Sequence, residues 1–174
     1  MRALDHELVQ EVWQTLCDYE PERSEAEARA FIKRQPHLIA LAKTLMEEFD
    51  VGEQKAALGL LFLLTKVLEA HREAPVASVS VERVARAYEA AVAWVERWSG
   101  TNERFLARSG EFPQPHLIPY LISVLSPGDA GRSEYDAEVE GSLFLLLKAA
   151  ADAIEAGEIP GESADWFGEG EGDG

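Results

Sequence analysis

Cysteine is almost absent from this chain: Cys17 stands alone among 174 residues. One cysteine excludes an internal disulfide and fits a reducing compartment, so the sequence predicts a cytoplasmic protein. The first ten residues, MRALDHELVQ, lack the apolar core of a secretory signal, in line with that prediction. The longest run of apolar residues and glycine, residues 56–64, is far too short to cross a membrane.

Positive charge is also scarce. The chain has 16 basic residues against 32 acidic ones, a formal net charge of −16. Nucleic-acid binding depends on Lys and Arg neutralising phosphates, and anionic membranes attract the same residues. The composition therefore predicts neither a nucleic acid nor a membrane as partner, and favours a protein partner. It leaves open whether the chain is a monomer or a homodimer.

Motifs of known chemistry are missing as well. No P-loop and no G-x-S-x-G motif occurs. The glycine-rich end, residues 168–174, follows no strand pattern and opens no helix, and its acidic residues would repel phosphate. The sequence thus predicts no cofactor and no catalytic residue, and favours a protein that is not an enzyme.

Helical periodicity is what the sequence has in abundance. Apolar residues recur at helical spacing almost throughout, and no convincing strand alternation is present. A capping-box pattern at Ser24–Glu27 predicts the start of a short second helix, and Asp50–Glu53 predicts the start of a long fourth helix reaching about Glu73. Pro36 and Pro115 fit first helical positions. The last helix is predicted from about Glu134 to Glu155.

An internal repeat organises these helices. The segment QPHLI at 35–39 recurs at 114–118, and GLLFLLTK at 59–66 recurs as GSLFLLLK at 141–148. The matches are collinear, and the small difference between their offsets falls in a loop rich in proline and glycine. The sequence therefore predicts an all-α fold of about eight helices, made by tandem duplication of a four-helix unit. Residues 1–73 and 80–157 form the two repeats, packed as a pseudo-two-fold bundle around the fourth and eighth helices.

The repeated QPHLI segment places His37 and His116 in equivalent first helical turns. Two such histidines could converge near the pseudo-axis as metal ligands or as an acid–base pair. A metal site needs further ligands at fixed spacing, and no E-x-x-H or H-E-x-x-H pattern surrounds either histidine. The alternative is that both histidines pack or hydrogen-bond locally, and the sequence favours this alternative.

Two lysines, Lys66 and Lys148, also occupy equivalent positions, each within a very apolar helix. A desolvated lysine can serve as a nucleophile or base, but a lysine that pairs with a carboxylate or extends to water is the favoured interpretation. The sequence neighbours of Cys17 are acidic, which disfavours a reactive thiolate. A buried structural cysteine is therefore predicted. An acidic cluster near the start of the last helix is a possible cation site or simply a solvated helix start. Its members are Glu134, Asp136, Glu138 and Glu140.

The C-terminal segment, residues 158–174, has the composition of a largely disordered acidic tail. Within it, Trp166 and Phe167 resemble a linear docking motif, since two large rings can fill a pocket while acidic residues meet a basic rim. The tail could bind a partner, dock on the protein's own residues 81–110, which carry five arginines, or have no role.

Three classes of function remain at this point. The first is a non-enzymatic interaction or adaptor module that uses the groove between the repeats, the tail, or both. The second is an acidic neutraliser, such as an immunity-like or nucleic-acid-mimicking inhibitor of a basic partner. The third is a small metal-dependent enzyme using the paired histidines. The sequence favours the first, because half of the net charge lies in residues 152–174, in and beside the tail.

Overall fold

Helices account for all the regular structure in the described part of the chain. The structure, a computed structural model, describes residues 1–98, 117–125 and 136–156. Within these ranges it contains seven helices and no strand, which confirms the all-helical fold. The helices are α1 (His6–Cys17), α2 (Pro21–Arg34), α3 (Pro36–Leu45), α4 (Val51–Arg72), α5 (Val81–Trp98), α6 (Leu117–Leu125) and α7 (Ala137–Glu155). The remaining helix of the predicted eight would fall within residues 99–116, which lie outside the described residues.

Local capping signals explain where several helices begin. Asp5 accepts a hydrogen bond from the Leu8 amide and caps α1. Asp50 and Glu53 form the predicted capping box, in which each side chain accepts a hydrogen bond from the other residue's amide. The helix that they start, α4, ends one residue before Glu73, whose backbone is left-handed with φ 57°. The predicted extent of this long helix is thereby confirmed.

The predicted start of the second helix was wrong. The helix begins at Pro21 and not at the Ser24–Glu27 pattern, because a proline fixes the backbone angle that a first helical position needs. The Ser24 amide already donates to the Glu20 carbonyl at 2.9 Å, within the first turn. Glu27 is consequently free of a capping role, and its carboxylate reaches across to α4.

The core lies between α4 and α7, which contact each other at the centre of the bundle. Each of these two helices also contacts both α3 and α6. Each central helix also has its own outer neighbour: α1 packs on α4, and α5 packs on α7. A helix buried on most sides carries apolar residues around most of its circumference, and the sequences of α4 and α7 both show this pattern. The largest wholly buried side chains come mainly from these two helices: Leu60, Leu61, Leu63, Leu64, Leu68, Leu143 and Leu146.

Small residues let α5 and α7 approach closely. Ala91 of α5 is fully buried, and α7 buries Ala149, Ala150 and Ala153. Short side chains at a helix contact reduce the distance between the two axes. Among the helices described, none combines the length and apolar character needed to cross a membrane.

Candidate functional site

An open groove lies between the first half of the chain (residues 1–73) and the second half (residues 80–156). It encloses about 510 Å³ and is hereafter the inter-half groove. The turn between α3 and α4 and the first turns of α7 supply most of its lining, and one residue of α5 completes it. The lining residues are Glu48, Phe49, Val95, Ala137, Glu138, Gly141, Ser142 and Leu145.

The turn between α3 and α4 is held firmly in place. Met46 anchors it in the core with 1% of its surface exposed. The Phe49 amide donates to the Met46 carbonyl at 3.1 Å, and the Gln54 side chain donates to the Phe49 carbonyl at 2.9 Å. The capping box of α4 follows immediately. Glu48 and Phe49 are therefore presented on a rigid support.

The groove combines an apolar floor with acidic side chains. Phe49 and Leu145 are half-buried, while Val95 is 39% exposed. At Gly141 the helix surface is bare, and an added Cβ would meet no atom within 4 Å. Among the described residues that line the groove, Glu48 and Glu138 are the charged ones, and both are acidic.

The histidines predicted as a pair cannot be compared with each other. His37 lies half-exposed in the first turn of α3, and His116 lies outside the described residues, so their convergence stays a prediction. Within residues 1–98, 117–125 and 136–156, no three or more His, Cys, Asp or Glu side chains are grouped as a metal ion would require.

Lys66 is held by carboxylates, as the favoured interpretation of its sequence predicted. Its ammonium lies 2.9 Å from Glu27 of α2 and 3.2 Å from Glu69 one turn along α4. Burial tends to lower the pKa of Lys66, but the hydrogen bonds and charges of these two glutamates outweigh burial and raise it. A raised pKa keeps the lysine protonated, which is unsuited to nucleophilic chemistry.

The Lys66–Glu27 pair predicts a pH-dependent stability difference. The hydrogen bond from Lys66 lowers the pKa of Glu27, so this pair stabilises the fold above the ordinary glutamate pKa and is lost as the pH falls through the lowered value. We expect Lys66→Met to reduce the free energy of unfolding by about 1.5 kcal/mol at pH 7. The reduction should shrink as the pH falls below the ordinary glutamate range and through the lowered pKa of Glu27.

Urea denaturation at pH 7 and at pH 3, followed by circular dichroism, measures this difference. Lys55→Met, at an exposed position on the same helix, is the matched control and should have little effect at either pH. An equal loss at pH 3 and pH 7 for Lys66→Met would show that the ion pair is not its cause.

Lys148, the equivalent lysine of the second half, is more deeply buried. Only 5% of its side chain is exposed, and its ammonium lies 2.9 Å from Asp152 one turn along α7. The ammonium also lies 5.1 Å from the centre of the Trp94 ring, which stacks on Phe144. Burial raises the pKa of Asp152, against the opposing effect of Lys148. The pairing interpretation therefore holds for this lysine too.

The prediction of a buried cysteine was wrong, because Cys17 is exposed. Burial decreases along α1: Leu8 and Val9 lie in the core, whereas Val12 and Leu16 are half-buried. Cys17 is the last residue of the helix, beyond the reach of the core. A helical stripe drawn from spacing alone does not show where along its length a helix leaves its neighbours.

The acidic cluster lies at the start of α7, close to the groove. Asp136 is the N-cap, and Glu138 and Glu140 lie in the first turn, where carboxylates offset the positive end of the helix dipole. Glu134 lies outside the described residues. The cluster's described members therefore fit a solvated helix start, and Glu138 alone lines the groove.

The tail, including Trp166 and Phe167, also lies outside the described residues. The end of α7, from which it continues, is capped by arginines of the other helices: Arg83 donates to the Ala153 and Ile154 carbonyls, and Arg72 donates to Ile154 at 3.4 Å. Arg83 is one of the five arginines considered as a target for the tail, and its guanidinium is engaged by the helix end.

Sequence reasoning missed Gln35, a buried residue with a structural role. Its side chain is 0% exposed; the amide nitrogen donates to the Ala77 carbonyl at 2.8 Å, and the amide oxygen accepts from the Val79 amide at 3.1 Å. These bonds fix the connection between the halves against α3. A glutamine precedes both Pro36 and Pro115 in the repeated segment, and this repetition was the available signal.

Comparison with known proteins gave no match, either to a family model, to a curated protein or to a solved structure.

Proposed function

We propose that this protein is a non-enzymatic helical interaction module of the cytoplasm that holds another protein in the inter-half groove. The observation that carries the proposal is the groove itself, with an apolar floor on a rigid turn, open to solvent and lined by acidic groups. Concave apolar surface bordered by polar side chains is characteristic of sites that bind protein segments.

The tandem duplication is part of the proposal, and the pattern of helix contacts supports it. Exchange of α1 with α5, α3 with α6 and α4 with α7 converts each contact among these helices into another observed contact. For example, α1 packs on α4 as α5 packs on α7. The α4–α7 contact maps onto itself, which is the behaviour expected of two units around a pseudo-two-fold axis.

Burial at matched positions supports the same proposal. In the repeated QPHLI segments, Leu38 and Ile39 are buried, as are Leu117 and Ile118. In α4 and α7 two pairs of matched leucines are buried in both copies, Leu61 with Leu143 and Leu64 with Leu146. In a third pair, Leu63 is buried and Leu145 is half-buried at the groove. A groove between two such units is a natural place for a partner, because neither unit alone completes it.

The tail provides a second possible point of contact. Trp166 and Phe167 stand among acidic residues in a segment that continues from α7, and aromatic pairs of this kind anchor many linear motifs. The acidic neutraliser remains the alternative function, supported by the carboxylates at the groove. For that function the binding partner would be blocked by the protein, and not merely held.

An affinity capture from lysate compares four chains: the full protein, a version stopped after Ala156, Gly141→Phe and Ala26→Phe. Gly141 lines the groove and has open space around an added Cβ, so Gly141→Phe introduces a bulky side chain there, whereas Ala26 is an exposed α2 position outside the groove. We expect a protein bound by the full chain and by Ala26→Phe but lost from Gly141→Phe. Loss from the shortened chain alone would assign binding to the tail, and the absence of any partner would contradict an interaction module.

A further inference from the structure

We infer that the occupant of the inter-half groove is a basic amphipathic segment of a partner protein, an inference that rests on the proposed function. Its apolar side chains lie on the floor formed by Phe49, Val95 and Leu145. Its lysines or arginines meet the carboxylates of Glu48 and Glu138.

The floor requires an occupant with apolar side chains. Three apolar residues from α5, α7 and the α3–α4 turn converge there, and Val95 leaves 39% of its surface in contact with solvent. The bare surface of Gly141 gives room for a side chain to lie against the helix. Burial of such surface by a partner is favourable in proportion to its area.

The two glutamates of the groove determine the charge expected on the polar face of the occupant. Glu48 and Glu138 come from opposite halves of the molecule and line the same groove. A neutral segment would remove water from these carboxylates without replacing it, which is costly, and an acidic segment would be repelled. A basic segment supplies a counter-charge to these two carboxylates, which are the charged groups among the described lining residues, and the overall charge of −16 attracts it from a distance.

A synthetic peptide tests the inference directly. The probe is a fluorescently labelled amphipathic Leu/Lys helix of about four turns, compared with a Leu/Glu peptide of the same pattern. Binding to the full chain is measured by anisotropy. We expect the Leu/Lys peptide to bind and the Leu/Glu peptide not to bind. The double variant Glu48→Gln/Glu138→Gln should raise the Kd of the Leu/Lys peptide about tenfold.

The matched control is Glu7→Gln/Glu22→Gln, which removes the same charge from exposed first-turn positions of α1 and α2. All variants retain the acidic tail, so its contribution cancels. The control should raise the Kd less than about twofold, since distant surface charges are screened by salt.

Equal effects of the two double variants would overturn the inference, because attraction would then come from diffuse acidity. If Gly141→Phe abolishes capture of a lysate partner while neither double variant weakens the peptide, the interaction module stands and the basic occupant does not. A photo-reactive side chain placed at position 142 could instead cross-link to residues 99–116 of the same chain. That result would identify this segment as the occupant and would also overturn the inference.

Discussion

Replacement of Gln35 by leucine is expected to lower the free energy of unfolding by about 3 kcal/mol. Leucine fills a similar volume but leaves the Ala77 carbonyl and the Val79 amide without their buried partner. Each unsatisfied buried group costs about 1–3 kcal/mol. Urea denaturation followed by circular dichroism measures the loss. The control Gln14→Leu, at an exposed position of α1, should change stability by less than about 0.5 kcal/mol.

Gln35→Glu separates hydrogen bonding from side-chain volume. At pH 7 a carboxylate oxygen would face the Ala77 carbonyl in place of the donating amide, so the variant should be at least as unstable as Gln35→Leu. Protonation of the new carboxyl at low pH restores a donor, and part of the stability lost relative to the native chain should return. Native-like stability of both variants would contradict the role assigned to Gln35.

Replacement of Leu61 or Leu143 by alanine is expected to cost about 3 kcal/mol in each case. Both side chains are 0% exposed, and they occupy matched positions of α4 and α7 in one continuous core. Removal of a buried leucine leaves a cavity that the surrounding helices close only in part.

Comparable losses at the two positions are what a shared central pair of helices predicts. Val81→Ala is the control, because Val81 is 52% exposed, and its cost should stay below about 0.5 kcal/mol. A loss below about 1 kcal/mol at either leucine would show that the corresponding helix is peripheral. Equilibrium urea titrations of the four chains provide the comparison.

Much of the fold could be predicted from the sequence, because its signals are local. The capping box at Asp50 and Glu53 marks the start of α4, and the apolar circumference of α4 and α7 marks them as central helices. Local signals compete, however. Pro21 starts α2 ahead of the Ser24 pattern, and the exposure of Cys17 depends on where α1 leaves the core.

The candidate site could be predicted only in outline. A groove between the two halves was predicted from the internal sequence repeat, but the lining of the observed groove comes from segments that lie far apart in the chain, such as Phe49, Val95 and Leu145. Helical periodicity identifies the apolar face of each helix and not the neighbour that it meets. The structural role of Gln35 could not be predicted for the same reason, since its partners at Ala77 and Val79 lie more than forty residues away along the chain.

Site-specific photo-cross-linking tests the central claim, that the inter-half groove holds a partner, most directly. A benzophenone side chain is placed at Ser142, inside the groove, or at Glu7, an exposed residue outside it. After irradiation in lysate, the cross-linked peptides are sequenced by mass spectrometry. We expect position 142 to cross-link to a Lys- or Arg-rich amphipathic segment of another protein, and position 7 to give no cross-link to that segment. The same products from both positions, or none from position 142, would contradict the central claim.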